Sequence, residues 1–244
     1  MANCLICGSD PTVKSHIVPR ALFHDMKPAK GQLIGNLRDG PGYQHLQSGF
    51  WDKTILCAEH EGQLHQADEY GIQFCRTFNA GKKAGQWRVD VPNPAPELLV
   101  DFASACVWRM AASRSERRPE KWLGPYARRL ADSLFHGIAY RPMLLVACNA
   151  YQLKKGEILN MGALPFRYVE LDIHFWRFIV GGLIFDLKLD ARATPAAMAT
   201  LAVNEQAEVT LFEDFPQSAR RTPGVGHALA ALSMQRRSFR PPPN

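Results

Sequence analysis

Apolar residues along this chain first recur at helical spacing. From Glu61 onward, Leu64, Ala67, Gly71, Phe74 and Phe78 return every three or four positions, which predicts a helix packing one face inward. Leu99, Phe102, Cys106, Val107 and Met110 form a second such stripe, ending near Arg114 to Arg118. A third helix is expected after Pro119, with Trp122, Tyr126, Leu130 and Leu134 on one face and Gly137 as its stop signal. The second and third helices would form a helical hairpin.

The period then changes. Met143 to Cys148 is a short apolar run, and Arg167 to Ile173 alternates polar and apolar positions as a half-buried strand does. Phe175 to Val180 and Leu183 to Leu189 flank Gly181-Gly182, a hairpin signal, and Glu208 to Phe212 adds one more strand. The pattern predicts an α+β fold whose C-terminal half carries a mainly antiparallel sheet. Between Lys27 and Asp52, glycine, proline and polar residues predict a long loop or small hairpin. Gly81 to Gly85 and Pro92 to Pro96 mark a boundary. The expected units are 1–80, an α+β unit at 97–215, and a basic tail at 216–244.

At 244 residues and 46% hydrophobic, the chain can bury a substantial core. The formal charge of +6 is unevenly placed: no acidic residue follows Asp214, whereas Arg220, Arg221, Arg236, Arg237 and Arg240 do. Without those five, 24 basic residues face 23 acidic ones, so the excess belongs to the tail and suits contact with a polyanion. The N-terminus shows no targeting signal, and the longest apolar run, Phe175 to Phe185, is interrupted by Arg177. These features predict a soluble, cytoplasmic protein without a membrane contact.

Two short spacings carry the chemistry. Cys4-Leu5-Ile6-Cys7 and Cys57-Ala58-Glu59-His60 each place two residues between ligands, so one tight turn can aim both side chains at one ion. Together Cys4, Cys7, Cys57 and His60 complete the tetrahedral set that Zn²⁺ prefers. His24, His45 and His65 are alternatives to His60 as the fourth ligand. Cys75, Cys106 and Cys148 fall within apolar segments, a usage that fits a reducing compartment better than a disulfide scaffold.

Cys4-x-x-Cys7, followed by Ser15-His16-Ile17-Val18-Pro19-Arg20 and then Ile55-Leu56-Cys57-x-x-His60-Glu61, resembles the treble-clef, ββα-metal nucleases of the HNH type. In particular it looks like a bacterial variant with Ser-His-Ile-x-Pro and Leu-Cys-x-x-Cys-Glu motifs. The resemblance covers roughly residues 1–75. It implies a structural zinc and His16 as the general base that activates water, with Mg²⁺ or Mn²⁺ stabilising the charge that develops on a DNA phosphodiester. The family's aspartate before the base is replaced by Ser15. A further ligand is implied on the helix after the second knuckle. There Glu61 and His65, with Asp68, share one helical face, expected to lie opposite the packing face. Asn36 is the one residue at hand for the family's middle asparagine.

Lys14 and Arg20 flank His16 and are placed to hold a phosphate. Trp51 either covers a small zinc core or offers a ring on which a base can stack. Trp108-Arg109-Met110 reads as a packed tryptophan beside a surface arginine. A phosphate-binding glycine loop and a Gly-x-Ser-x-Gly elbow are both absent, which removes nucleotide-driven motors and serine hydrolases of that type. Three functions follow: a metal-dependent DNA endonuclease catalysed by His16, Glu61 and His65; a zinc-stabilised module that binds nucleic acid or protein without catalysis; or a subunit that awaits a protein partner in a bacterial defence complex.

Overall fold

The structure, a computed structural model, describes residues 2–26, 33–35, 44–46, 49–81, 94–114, 116–148, 162–199, 202–204 and 212–213. Asn36 and the basic tail therefore lie outside the described residues.

The N-terminal segment runs from a turn at 5–7 into strand β1 (Ser15–His16) and helix α1 (Arg20–Asp25), which opens directly after Pro19. The predicted small hairpin is present as β2 (Leu33–Gly35) paired antiparallel with β3 (Gln44–Leu46). Strand β4 (Trp51–Asp52) then returns to pair antiparallel with β1, setting His16 opposite Trp51 and Ser15 opposite Asp52. Helix α2 (Ala58–Gln63) starts from Cys57, held extended at its N-cap, and is followed by helix α3 (His65–Gly81). Leu64 lies at the junction, and the predicted stripe is buried: Leu64, Ala67, Gly71, Phe74 and Phe78 all face inward.

Helix α4 (Pro96–Arg114) differs from the amphipathic helix expected. From Leu99 to Ala112 every residue except Asp101 is buried, so the helix has no solvent face over that stretch. Its neighbours explain this. It packs against α3, helix α5 (Glu120–Leu123), helix α6 (Tyr126–Phe135) and the sheet. At Gly71 the approach of α3 to α4 is so close that a Cβ would meet the Phe102 ring at 2.5 Å, which is why the stripe carries glycine there. The helix expected after Pro119 is split in two by Gly124-Pro125, because proline at 125 cannot donate into the preceding turn.

The sheet contains β5 (Leu144–Cys148), β6 (Ala163–Glu170), β7 (Ile173–Val180), β8 (Leu183–Lys188) and β9 (Phe212–Glu213), in the order β6-β7-β8-β5-β9. Among the described residues, only the β5–β9 pairing is parallel. Gly181 and Gly182 turn β7 into β8 with φ of 59° and 78°, as the hairpin signal predicts. The alternation from Arg167 to Ile173 is not one strand. Leu171 and Asp172 adopt φ of 49° and 60°, closing a tight turn between β6 and β7. A short helix α7 (Ala196–Ala199) follows the sheet.

Phe178 and Phe185 stack across β7 and β8 at 4.8 Å, and Phe102 of α4 meets both edge-on at 5.9 and 5.6 Å. Buried side chains from Cys4 to Phe78 and from Leu99 to Val203 join in one hydrophobic cluster, so the metal-knuckle region and the sheet share a core through α4. Among the described residues, no helix is long and apolar enough to cross a membrane.

Candidate functional site

The two knuckles converge. The first is shaped by Gly8, whose N–H returns to the Cys4 carbonyl at 2.9 Å with φ of 74°, and by the Cys4 N–H, which donates to Ser9. The Leu5 N–H donates to the Ile55 carbonyl and the Val13 N–H to Leu56, locking the first knuckle onto the segment that enters the second. Cys57 and His60 lie at the start of α2, where one helical turn brings them to the same side.

The ligand atoms of Cys4, Cys7, Cys57 and His60 all lie within 4.8 Å of one another. Cys7 Sγ is 3.8 Å from Cys57 Sγ, while His60 Nδ1 is 3.2 Å from Cys57 Sγ and 3.8 Å from Cys4 Sγ. Zinc bonds of about 2.3 Å to sulfur and about 2.0 Å to nitrogen give tetrahedral edges of about 3.8 Å between sulfurs and about 3.5 Å from sulfur to nitrogen. The separations bracket those values, so the cluster is compatible with zinc. Cys4, Cys57 and His60 are buried and Cys7 is exposed. Hydrogen bonds from the Ser9 side chain and backbone lower the Cys7 thiol to about 7, toward the thiolate that a metal needs. The His60 ring meets Phe135 of α6 edge-on at 5.5 Å, and Phe135 also meets Trp108 at 5.3 Å. The cluster is thereby backed by the helical core.

Beside it lies a second polar group, which the sequence reading places differently. Glu61 and Asp68 do share a face, but that face is turned to α4 and is needed for packing. Arg109, fully buried, donates from Nη1 and Nη2 to the two oxygens of Asp68 at 3.1 and 2.8 Å, and from Nη2 to Glu61 Oε1 at 3.2 Å. The expectation of a surface arginine at 109 is thus overturned, because a helix without a solvent face must bury whatever charge it carries. Burial alone would disfavour the guanidinium, but Asp68 and Glu61 outweigh it and raise its pKa. His65 is exposed.

Ser15 is fully buried and faces Glu61. Burial raises the Glu61 pKa, while Arg109 and the Ser15 hydroxyl favour its charged form and Asp68 opposes it. The hydroxyl is close enough to favour that charge yet does not complete a hydrogen bond: Ser15 Oγ and Glu61 Oε2 are both buried without a partner. His16, next along β1, is half-buried with Nε2 also unpartnered. Its pKa is lowered to about 4, first by burial and then by the charges of Lys14, Arg20 and Arg109, with Asp68 opposing. The imidazole is therefore neutral at physiological pH.

Trp51 does not cover the metal cluster's core. It is 46% exposed, with Lys14 Nζ 4.4 Å from its ring centroid. Arg20 is exposed and donates from Nε to His24 Nε2 at 3.0 Å. Among the described residues, Cys4, Cys7, Cys57 and His60 form the one group of three or more potential metal-ligating side chains. His16, Glu61, His65 and Asp68 do not gather into another. Arg109 is the residue whose place sequence reasoning missed; its signal was a lone arginine within an otherwise apolar stretch from Cys106 to Ala112.

Comparison with known proteins returns no matching family model, no matching curated protein and no matching solved structure.

Proposed function

We propose that this chain is a metal-dependent endonuclease of the HNH type that hydrolyses DNA phosphodiesters, with a structural zinc and His16 as general base. Cys4, Cys7, Cys57 and His60 would hold the zinc, and four protein ligands leave no position open for substrate, the mark of a structural ion. The order of a turn with two ligands, paired strands β1 and β4, and a helix bearing the other two supports the treble-clef, ββα reading.

One observation carries the catalytic reading. Ser15 and Glu61 stand at the two positions from which the HNH resemblance draws cation ligands, and they face each other with Ser15 Oγ and Glu61 Oε2 buried and unpartnered. Arg109 fixes Oε1 of the same carboxylate and leaves Oε2 free. Mg²⁺ sites commonly use only one or two carboxylates together with substrate oxygens and water, a demand that Glu61 can meet. Such an ion would supply positive charge where the phosphate becomes more negative. His16 is neutral, the state a general base needs, while burial and the cations of Lys14, Arg20 and Arg109 weaken its hold on a proton. His65 is exposed and would join only through the solvent side of α3.

Zinc-loaded protein supplied with Mg²⁺ or Mn²⁺ should nick supercoiled plasmid, and Glu61→Gln should demand more metal for the same rate. Nicking that is unchanged by the substitution and by omission of the divalent ion would contradict the assignment.

A second reading, a zinc-stabilised module that binds DNA or a protein partner of a defence complex without cutting, is favoured by one fact. Arg109 already holds both oxygens of Asp68 and one of Glu61. It predicts salt-sensitive DNA retention with no cleavage under any divalent ion.

A further inference from the structure

From the strand pairing we infer that Trp51 and Lys14 form a stacking subsite for an unpaired nucleobase, so that the substrate strand is single-stranded or locally opened at the reacting phosphate. The inference rests on the nucleic-acid reading above and adds the substrate class.

Trp51 is 46% exposed although it sits between buried Phe50 and half-buried Asp52. The position matters more than the exposure. Residues directly opposite in an antiparallel ladder project from the same face with Cβ atoms about 5 Å apart. Trp51 is directly opposite His16, so the two side chains leave the same face of the ladder. A base laid on Trp51 would place its own phosphate within one nucleotide's reach of His16.

Charge completes the arrangement. Lys14 Nζ rests 4.4 Å from the ring centroid, and both Lys14 and Arg20 are exposed and near enough to disfavour protonation of His16. An exposed cation–π contact is weak, so the ammonium can exchange the ring for a phosphate oxygen. Aromatic platforms joined to basic side chains are how proteins hold unpaired strands. In a duplex, both faces of each base are already covered by its neighbours, and a ring on a rigid strand has nothing to stack on. That argument selects the unpaired strand over the duplex.

Binding without cleavage tests this separately from the catalytic assignment. His16→Ala protein, zinc-loaded and without added divalent ion, is titrated into fluorescein-labelled dT20, U20 and a 20-base-pair duplex, and anisotropy is read. Either single strand should bind more tightly than the duplex, with tryptophan emission quenched. Trp51→Ala should weaken single-strand binding between ~5-fold and ~100-fold, the range for loss of one stacked base. Trp51→Phe should keep most of the affinity while losing the quench. Lys14→Gln should reduce the salt slope by about 0.7, one phosphate contact on a single strand. Preference for the duplex, or a Trp51→Ala variant with unchanged zinc content that binds dT20 and U20 as the parent does, would overturn the subsite while leaving plasmid cleavage to be judged by its own assay.

Discussion

Arg109 Nη2 lies 2.8 Å from Asp68 Oδ2 and 3.2 Å from Glu61 Oε1, joining the middle of α4 to the two helices that follow the second metal knuckle. The guanidinium is fully buried, whereas Asp68 keeps 18% and Glu61 24% of its side-chain surface. This ion-pair triad connects the region of the zinc-compatible cluster to the core of the remainder.

Arg109→Ala should therefore destabilise the whole chain rather than one region. Removing one partner of a buried pair typically costs about 3–5 kcal/mol, and the lower end applies here because the Glu61 and Asp68 side chains keep part of their surface exposed. Chemical denaturation checks this. Arg109→Lys should recover only part of the loss, since one ammonium cannot meet both oxygens of Asp68 as the planar fork does.

The zinc-compatible cluster makes a stoichiometric prediction. Purified protein should carry about one zinc per chain, and Cys57→Ser or a strong chelator should release it and lower the melting temperature. The cooperative loss should extend beyond the knuckles, because Phe135 touches both His60 and Trp108. Elemental analysis well below half an equivalent would remove the clamp from the account.

Much of this was legible because short spacings and strict periods leave few alternatives. Two residues between Cys4 and Cys7, and between Cys57 and His60, commit each pair to one turn, and the structure brings all four together. The Leu64–Phe78 stripe and the Gly181-Gly182 turn likewise follow from local rules. Arg109 was not legible by the same route. Periodicity identifies which face of a helix is buried, but α4 is enclosed from Leu99 to Ala112, so no face remained to assign the arginine to solvent. Glu61 and Asp68 were correctly placed on one face, yet whether that face meets water or a partner depends on α4, some 40 residues away in sequence. Leu171-Asp172 misled for a related reason: both turn residues fit the alternation of the strands they separate.

The lowered pKa of His16 fixes a pH dependence. Because the folded state disfavours the imidazolium, the unfolded chain binds more protons between about 4 and an ordinary histidine value near 6.5. Its contribution to stability is fully present above pH 6.5 and is lost as the pH falls toward about 4. NMR should show the His16 ring resonances moving near pH 4 rather than near 6.5, with zinc retention followed in parallel. His16→Asn should flatten the stability profile across that window.

The central claim is that His16 activates the water that attacks a DNA phosphate. It is tested most directly by the rate of plasmid nicking under Mn²⁺ for the parent and His16→Ala at matched zinc content. The account predicts a fall of at least ~100-fold, the scale for losing a general base. Equal rates in the two proteins would contradict it.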